Sequence, residues 1–127
     1  MSAFDPEAPV LVVDDNPEVR ESLVALLESD GYRVLVASSG MEALALMRRA
    51  EPPPGVVLLD LMMPGMDGWD FRAAQLSDAR LAAIPVIVTS AHPLARHAAN
   101  TGVAAVLQKP VDPQALLTAV ARHRARG

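Results

Sequence analysis

Five short apolar runs, Val10 to Val13, Val34 to Ala37, Val56 to Leu59, Val86 to Val88 and Ala104 to Leu107, punctuate the chain. None alternates apolar with polar residues, which is the pattern of parallel strands covered on both faces by helices. The intervening segments have helical patterning. After the first run Asn16 is a cap, Pro17 suits the first helical position, Val19, Leu23, Leu26 and Leu27 share a face, and Gly31 ends the helix. Ser39 and Glu42 form a capping box ahead of Ala43, Leu44 and Met47. A third helix is expected from Asp67 to about Asp78 and a short fourth from Pro93. The last opens at Asp112-Pro113 and carries Leu116, Leu117 and Val120.

Strands alternating with helices imply right-handed crossovers, since a parallel neighbour is reached only through a crossing segment. The expected fold is α/β, a flavodoxin-like, doubly wound, five-stranded parallel sheet of order 2-1-3-4-5 with five helices, forming one domain over residues 1–127. A chain of 127 residues buries roughly two thirds of its unfolded surface and needs no staple. It has no Cys, which excludes thiol nucleophiles, zinc-thiolate centres and disulfides. Its 11 Lys+Arg are scattered and outnumbered by 15 Asp+Glu, giving a net charge of -4, so direct nucleic-acid binding is not expected. No apolar run approaches the roughly 18 residues of a membrane span, and the acidic, Pro-containing start does not resemble a signal peptide. The expected location is the cytoplasm. Pro52-Pro53-Pro54 reads as a connector.

In this strand order the ligand crevice lies beyond the carboxyl ends of strands 1 and 3, where the winding reverses. Strand 1 ends in Asp14-Asp15, strand 3 in Asp60, strand 4 in Thr89-Ser90 and strand 5 in Lys109-Pro110. Asp60 stands among Val57, Leu58, Leu59, Leu61, Met62 and Met63, so its carboxylate must be partly desolvated and needs a partner. Three converging carboxylates call for a counter-ion. Oxygen ligands, no Cys and dispersed His point to Mg²⁺ and away from Zn²⁺. Lys109 is the one lysine of the chain, and a compact ammonium on a flexible stem suits a point contact to phosphate.

These residues carry a resemblance. Asp14-Asp15, the run Asp60-Leu61-Met62-Met63-Pro64-Gly65-Met66-Asp67-Gly68, then Pro85 to Ala91, and Lys109-Pro110 together resemble the response-regulator receiver domains of two-component signalling, of the single-domain, chemotaxis-regulator kind. The resemblance covers nearly the whole chain. It implies a phosphoacceptor switch in which Asp60 takes a phosphoryl group from a histidine kinase or phosphotransfer protein, and which catalyses only its own phosphorylation and dephosphorylation. Asp15 and Asp60 would bind Mg²⁺ directly, Asp14 largely through water, and the Met62 carbonyl would be a further ligand. Ser90 and Lys109 would hold phosphoryl oxygens, with a cis Lys109-Pro110 bond. In-line transfer needs that neutralisation of equatorial oxygens.

Two departures stand out. Val106 occupies a position that is usually aromatic in this family, so the swing of a ring coupled to the switch hydroxyl is absent. Ser90 and Lys109 are 19 positions apart, short of the family spacing by about one helical turn. Output is therefore expected at the loop after strand 4 and the helix opened by Pro93. Other features have plainer readings. Asp14-Asp15-Asn16-Pro17 taken alone is a capped helix start, and Ser90 alone a strand-end hydroxyl. His92, His97 and His123 read as surface residues, and Met41, Met47, Met62, Met63 and Met66 as packing and loop fillers. Trp69 reads as partly exposed cover, and Arg122, Arg124 and Arg126 as a solvated terminus. Two rival functions are a receiver-like interaction module acting without phosphorylation and a metal-dependent phosphohydrolase. The intact acidic site opposes the first. The second, with Asp60 or Asp14 as nucleophile, lacks an Asp two positions after either, where Met62 and Asn16 stand, and has no cap insertion.

Overall fold

The computed structural model describes residues 8–63, 65–91 and 102–124. Each apolar run is a strand: β1 (Val10–Val13), β2 (Val34–Ala37), β3 (Val56–Asp60), β4 (Val86–Ser90) and β5 (Ala105–Gln108). They form one parallel sheet in the order β2-β1-β3-β4-β5, as expected. The described helices are α1 (Pro17–Ser29), α2 (Gly40–Arg49), α3 (Gly68–Leu76) and α4 (Pro113–His123). Four helices are therefore seen among the described residues where five were expected. The one opening at Pro93 lies outside them, as do His92, His97 and Arg126. No described helix is long and apolar enough to cross a membrane.

Local chemistry sets the helix starts. Asn16, Ser39, Asp67 and Asp112 are all extended in backbone and accept first-turn N–H groups through their side chains. The box at Ser39 is only half closed: Ser39 Oγ accepts from Glu42 N, while the Glu42 carboxylate accepts from Ser38 Oγ. α3 stops at Leu76, short of the expected Asp78. Ser77 caps it, and a turn follows in which Leu81 N donates to the Asp78 carbonyl.

Side chains alternate across the sheet. Leu11, Val13, Val57, Leu59, Val86 and Val88 pack with Leu44, Met47 and Phe71 under α2 and α3. Val10, Val12, Val56, Leu58 and Ile87 pack with Leu23, Leu27, Leu116 and Val120 under α1 and α4. The central strands β1, β3 and β4 are buried throughout, but β2 and β5 are edges and only partly covered. Their apolar composition had suggested cover on both faces; each in fact has one neighbour, and Val36 is exposed. Val106 is half-buried and packs toward α2 and α3.

Two surface readings change. Met41 and Met62 are exposed rather than packed, whereas Met47 and Met63 are buried. Arg124 is not simply solvated: its guanidinium lies 4.9 Å from the centroid of the Tyr32 ring and donates to the Ala8 carbonyl at 3.2 Å. Gly68 is confined, since a Cβ there would fall 2.7 to 3.0 Å from Leu61 atoms, including its backbone. The Gly68 N–H donates to the Leu61 carbonyl at 2.8 Å. That close approach seats the start of α3 directly behind the end of β3.

Candidate functional site

β1 and β3 are adjacent and in register, with Val13 beside Leu59, so Asp14 and Asp60 emerge side by side at the carboxyl edge. Asp14 is 1% exposed and Asp60 6%, whereas Asp15 faces solvent. Oxygens of all three carboxylates lie within 4.8 Å of one another. The sheet thus gathers the three acidic residues that the sequence singled out.

Each buried carboxylate is held by neighbours. Asp14 Oδ1 accepts from the Asn16 N–H at 2.9 Å, and its Oδ2 lies 3.0 Å from Lys109 Nζ. Asp60 Oδ1 accepts from the Met62 N–H at 3.2 Å, and its Oδ2 lies 3.6 Å from the same ammonium. Met62 meets Asp60 through its peptide N–H, and its side chain is exposed. Ser90 is buried at the end of β4, one residue past Thr89, which pairs with Asp60. The Ser90 carbonyl accepts from the Lys109 N–H at 3.0 Å, joining the two strand ends. The Lys109-Pro110 peptide bond is cis, as the resemblance implied.

Burial pushes the Asp60 carboxyl up from 3.8 to about 6. The Asp14 and Asp15 charges act in the same direction, while the Lys109 ammonium and the Met62 N–H pull it down. One ammonium among three carboxylates leaves an excess of negative charge. Oxygen-only donors with one exposed member fit a hard divalent cation, and the group contains no thiol or imidazole to favour zinc.

Sequence reasoning passed over Arg20. Its Nη1 donates to the Asp14 carbonyl at 2.8 Å, bracing the acidic loop from α1. The available signal was its place six residues after Asp14, less than two helical turns into a helix that starts at the site. Beside Lys109 a groove of about 550 Å³ opens between α1 and the segment after β5, lined by Val19, Leu23, Thr89, Lys109 and Pro110 among others.

The model of the response regulator receiver domain family matches residues 10–121. PilH of Pseudomonas aeruginosa is 36% identical over 116 residues, covering 89% of this chain and 94% of that protein. Response regulator Rre1 of Synechocystis is 36% identical over 121 residues, which is 92% of this chain but 52% of that longer relative. Among solved structures, a response regulator receiver protein from Pseudomonas putida superposes with a TM-score of 0.85 at 32% identity, covering 94% of this chain and 99% of that one.

Proposed function

The chain belongs to the response regulator receiver domain family and is a phosphoacceptor signalling switch; from that premise we propose that Asp60 is its phosphoacceptor. The observation that carries the assignment is the convergence of the Asp14, Asp15 and Asp60 carboxylates within 4.8 Å at one sheet edge, with Lys109 reaching two of them. Asp60 is buried, and that burial raises its pKa to about 6. At about 6 it is still roughly nine-tenths ionised at pH 7, so it is available as a nucleophile.

In the proposed reaction an Asp60 oxygen attacks the phosphorus of a phosphohistidine on a histidine kinase or phosphotransfer protein. The P–O bond forms as the P–N bond breaks, and the imidazole leaves. The groove beside Lys109 gives such a donor an approach to the site. Asp15 and Asp60 would hold Mg²⁺, with Asp14 and the Met62 carbonyl assisting, and the ion would supply neutralising charge to the phosphoryl oxygens. Lys109 would exchange its contact with Asp60 for one with a phosphoryl oxygen, and Ser90 would offer a hydroxyl from the neighbouring strand end. Both act by positioning and charge stabilisation, which is what a loose phosphoryl-transfer transition state requires. The phosphoryl group carries about -1.5 to -2 of charge in place of the single carboxylate charge lost on phosphorylation, and its strong acceptor oxygens then reward inward movement of Ser90 and alter a partner surface. The domain would thereby catalyse its own modification.

Intact-mass measurement after incubation with acetyl phosphate tests this reading. One added phosphoryl group is expected, dependent on Mg²⁺ and absent in Asp60→Asn. Labelling of that variant at the parent rate would overturn the assignment.

A further inference from the structure

A buried guanidinium lies away from the acidic site. Arg72, on α3, donates through Nη1 to Gln75 Oε1 at 2.7 Å and through Nη2 to the Gly102 carbonyl at 3.2 Å. Gln75 is fully buried, and its amide nitrogen donates to the Leu81 carbonyl at 3.0 Å and the Ile84 carbonyl at 2.9 Å. Ile84 lies just before β4 and Gly102 just before β5. The two side chains therefore fasten α3 to the lead-ins of both strands, at the amino edge of the sheet, opposite Asp60.

Burying a guanidinium is costly, and an aliphatic side chain would fill the volume at less cost. What an aliphatic chain cannot do is grip a carbonyl. Gly102 is shaped for that grip: its φ is +79°, and a Cβ there would sit 3.4 Å from Arg72 Nη2. The strand it leads into is held on one side only, by a ladder to β4 flanked by the Ala104 N–H to Val86 carbonyl bond at 2.8 Å and the Lys109 N–H to Ser90 carbonyl bond at 3.0 Å. β5 pairs with β4 alone, from Ile87 beside Ala105 to Ser90 beside Gln108, with Ala105, Val106 and Leu107 only partly covered and Gln108 exposed. Yet this strand delivers Lys109 to the site. An extended strand advances about 3.3 Å per residue with little compliance along its length, so a displacement at its start is carried to its end.

We propose that Arg72 is a positioning residue: by anchoring the Gly102 carbonyl it fixes, together with the ladder to β4, the height of β5, and so the place of the Lys109 ammonium between Asp14 and Asp60. The proposal deepens the role given to Lys109 above and rests on it. Arg72 touches none of the reacting groups; it acts through the strand.

Because Lys109 is the one lysine, labelling lysine with ¹³C at Cε gives a single side-chain NMR signal that reports its surroundings. Arg72→Met and Gln75→Leu are compared with Leu27→Val, which loosens the opposite face of the sheet without touching the anchor. Both anchor variants should displace the lysine signal of the unphosphorylated protein and slow labelling by acetyl phosphate, by roughly tenfold for a displacement below 1 Å. Leu27→Val should leave the signal in place. A parent-like lysine signal in the anchor variants overturns the proposal, as does an equal displacement in Leu27→Val. Should Arg72→Met fail to fold, Gln75→Leu, which keeps the guanidinium, carries the comparison. The signal is read before any phosphoryl transfer, so a parent protein that took up no phosphate would count against Asp60 as acceptor and not against the anchor.

Discussion

The Lys109 ammonium sits nearer to Asp14, at 3.0 Å, than to Asp60, at 3.6 Å. Its shorter contact is with the carboxylate that is not the proposed acceptor, which keeps the ammonium at the site without committing it fully to the nucleophile. Lys109→Met leaves two buried carboxylates facing each other without this counter-charge and should destabilise the protein by about 1–3 kcal/mol at pH 7. Denaturant melts in EDTA check this, and unchanged midpoints would sink it. Lys109→Arg should not restore parent labelling, since a rigid planar fork replaces a compact ammonium.

The raised pKa of Asp60 predicts a pH dependence with a definite sign. A carboxyl whose pKa is about 6 in the folded chain, against 3.8 ordinarily, keeps its proton longer when folded. Between those values the folded state binds more protons than the unfolded one, so this group's contribution falls as pH rises from about 4 to 6 and is level above that. Comparing the parent with Asp60→Asn in EDTA isolates it: the variant should gain stability relative to the parent across that window. Parallel stability curves would show that Asp60 is not perturbed.

Mg²⁺ should raise thermal stability by linkage. At 100 times its dissociation constant the gain is about 2.7 kcal/mol, provided the unfolded chain does not bind it. Asp15→Asn should weaken the effect although Asp15 is exposed and contributes little to the metal-free fold. Melting curves with and without the ion for both proteins provide the check, and an identical gain in the variant would remove Asp15 from the ligand set.

Gly68→Ala should disturb the site from behind. The added Cβ would fall 2.8 Å from Leu61 Cα, and relief requires either α3 or the residues after Asp60 to move. A loss of about 1–3 kcal/mol is expected, as for overpacking elsewhere, together with slower labelling of Asp60. Gly65→Ala makes a useful contrast, because nothing lies within 4 Å of its added Cβ and the penalty comes from its φ of +77° alone.

What the sequence disclosed and what it hid divide by distance along the chain. Asn16, Ser39, Asp67 and Asp112 announce helix starts because each bonds to an N–H two or three residues away. The strand ends, and with them Asp14, Asp60, Ser90 and Lys109, were legible because apolar runs stop where polar residues begin. Arg72 gave no such sign: its Gly102 partner is 30 positions away, and only the folded sheet brings them together. The early end of α3 was hidden for a related reason, since Gln75 spends its amide on the Leu81 and Ile84 carbonyls and draws the following chain into turns. Arg124 read as a solvated end because Tyr32 and Ala8 are remote in sequence.

The strict alternation of side chains between the two helical layers limits how the length of this chain can vary. Deleting one residue inside β1 or β3 would send Val13 or Leu59 to the α1 and α4 side and leave every later side chain of that strand on the wrong face. Insertions and deletions are therefore barred from the strands and confined to the connections. The connection between β4 and β5 is one of these, and the strands it joins meet in register, with Ser90 beside Gln108. A change of length there would leave the partnering of the strand residues undisturbed, so the β4 to β5 connection is a place where related chains can diverge in size while keeping the acidic edge intact.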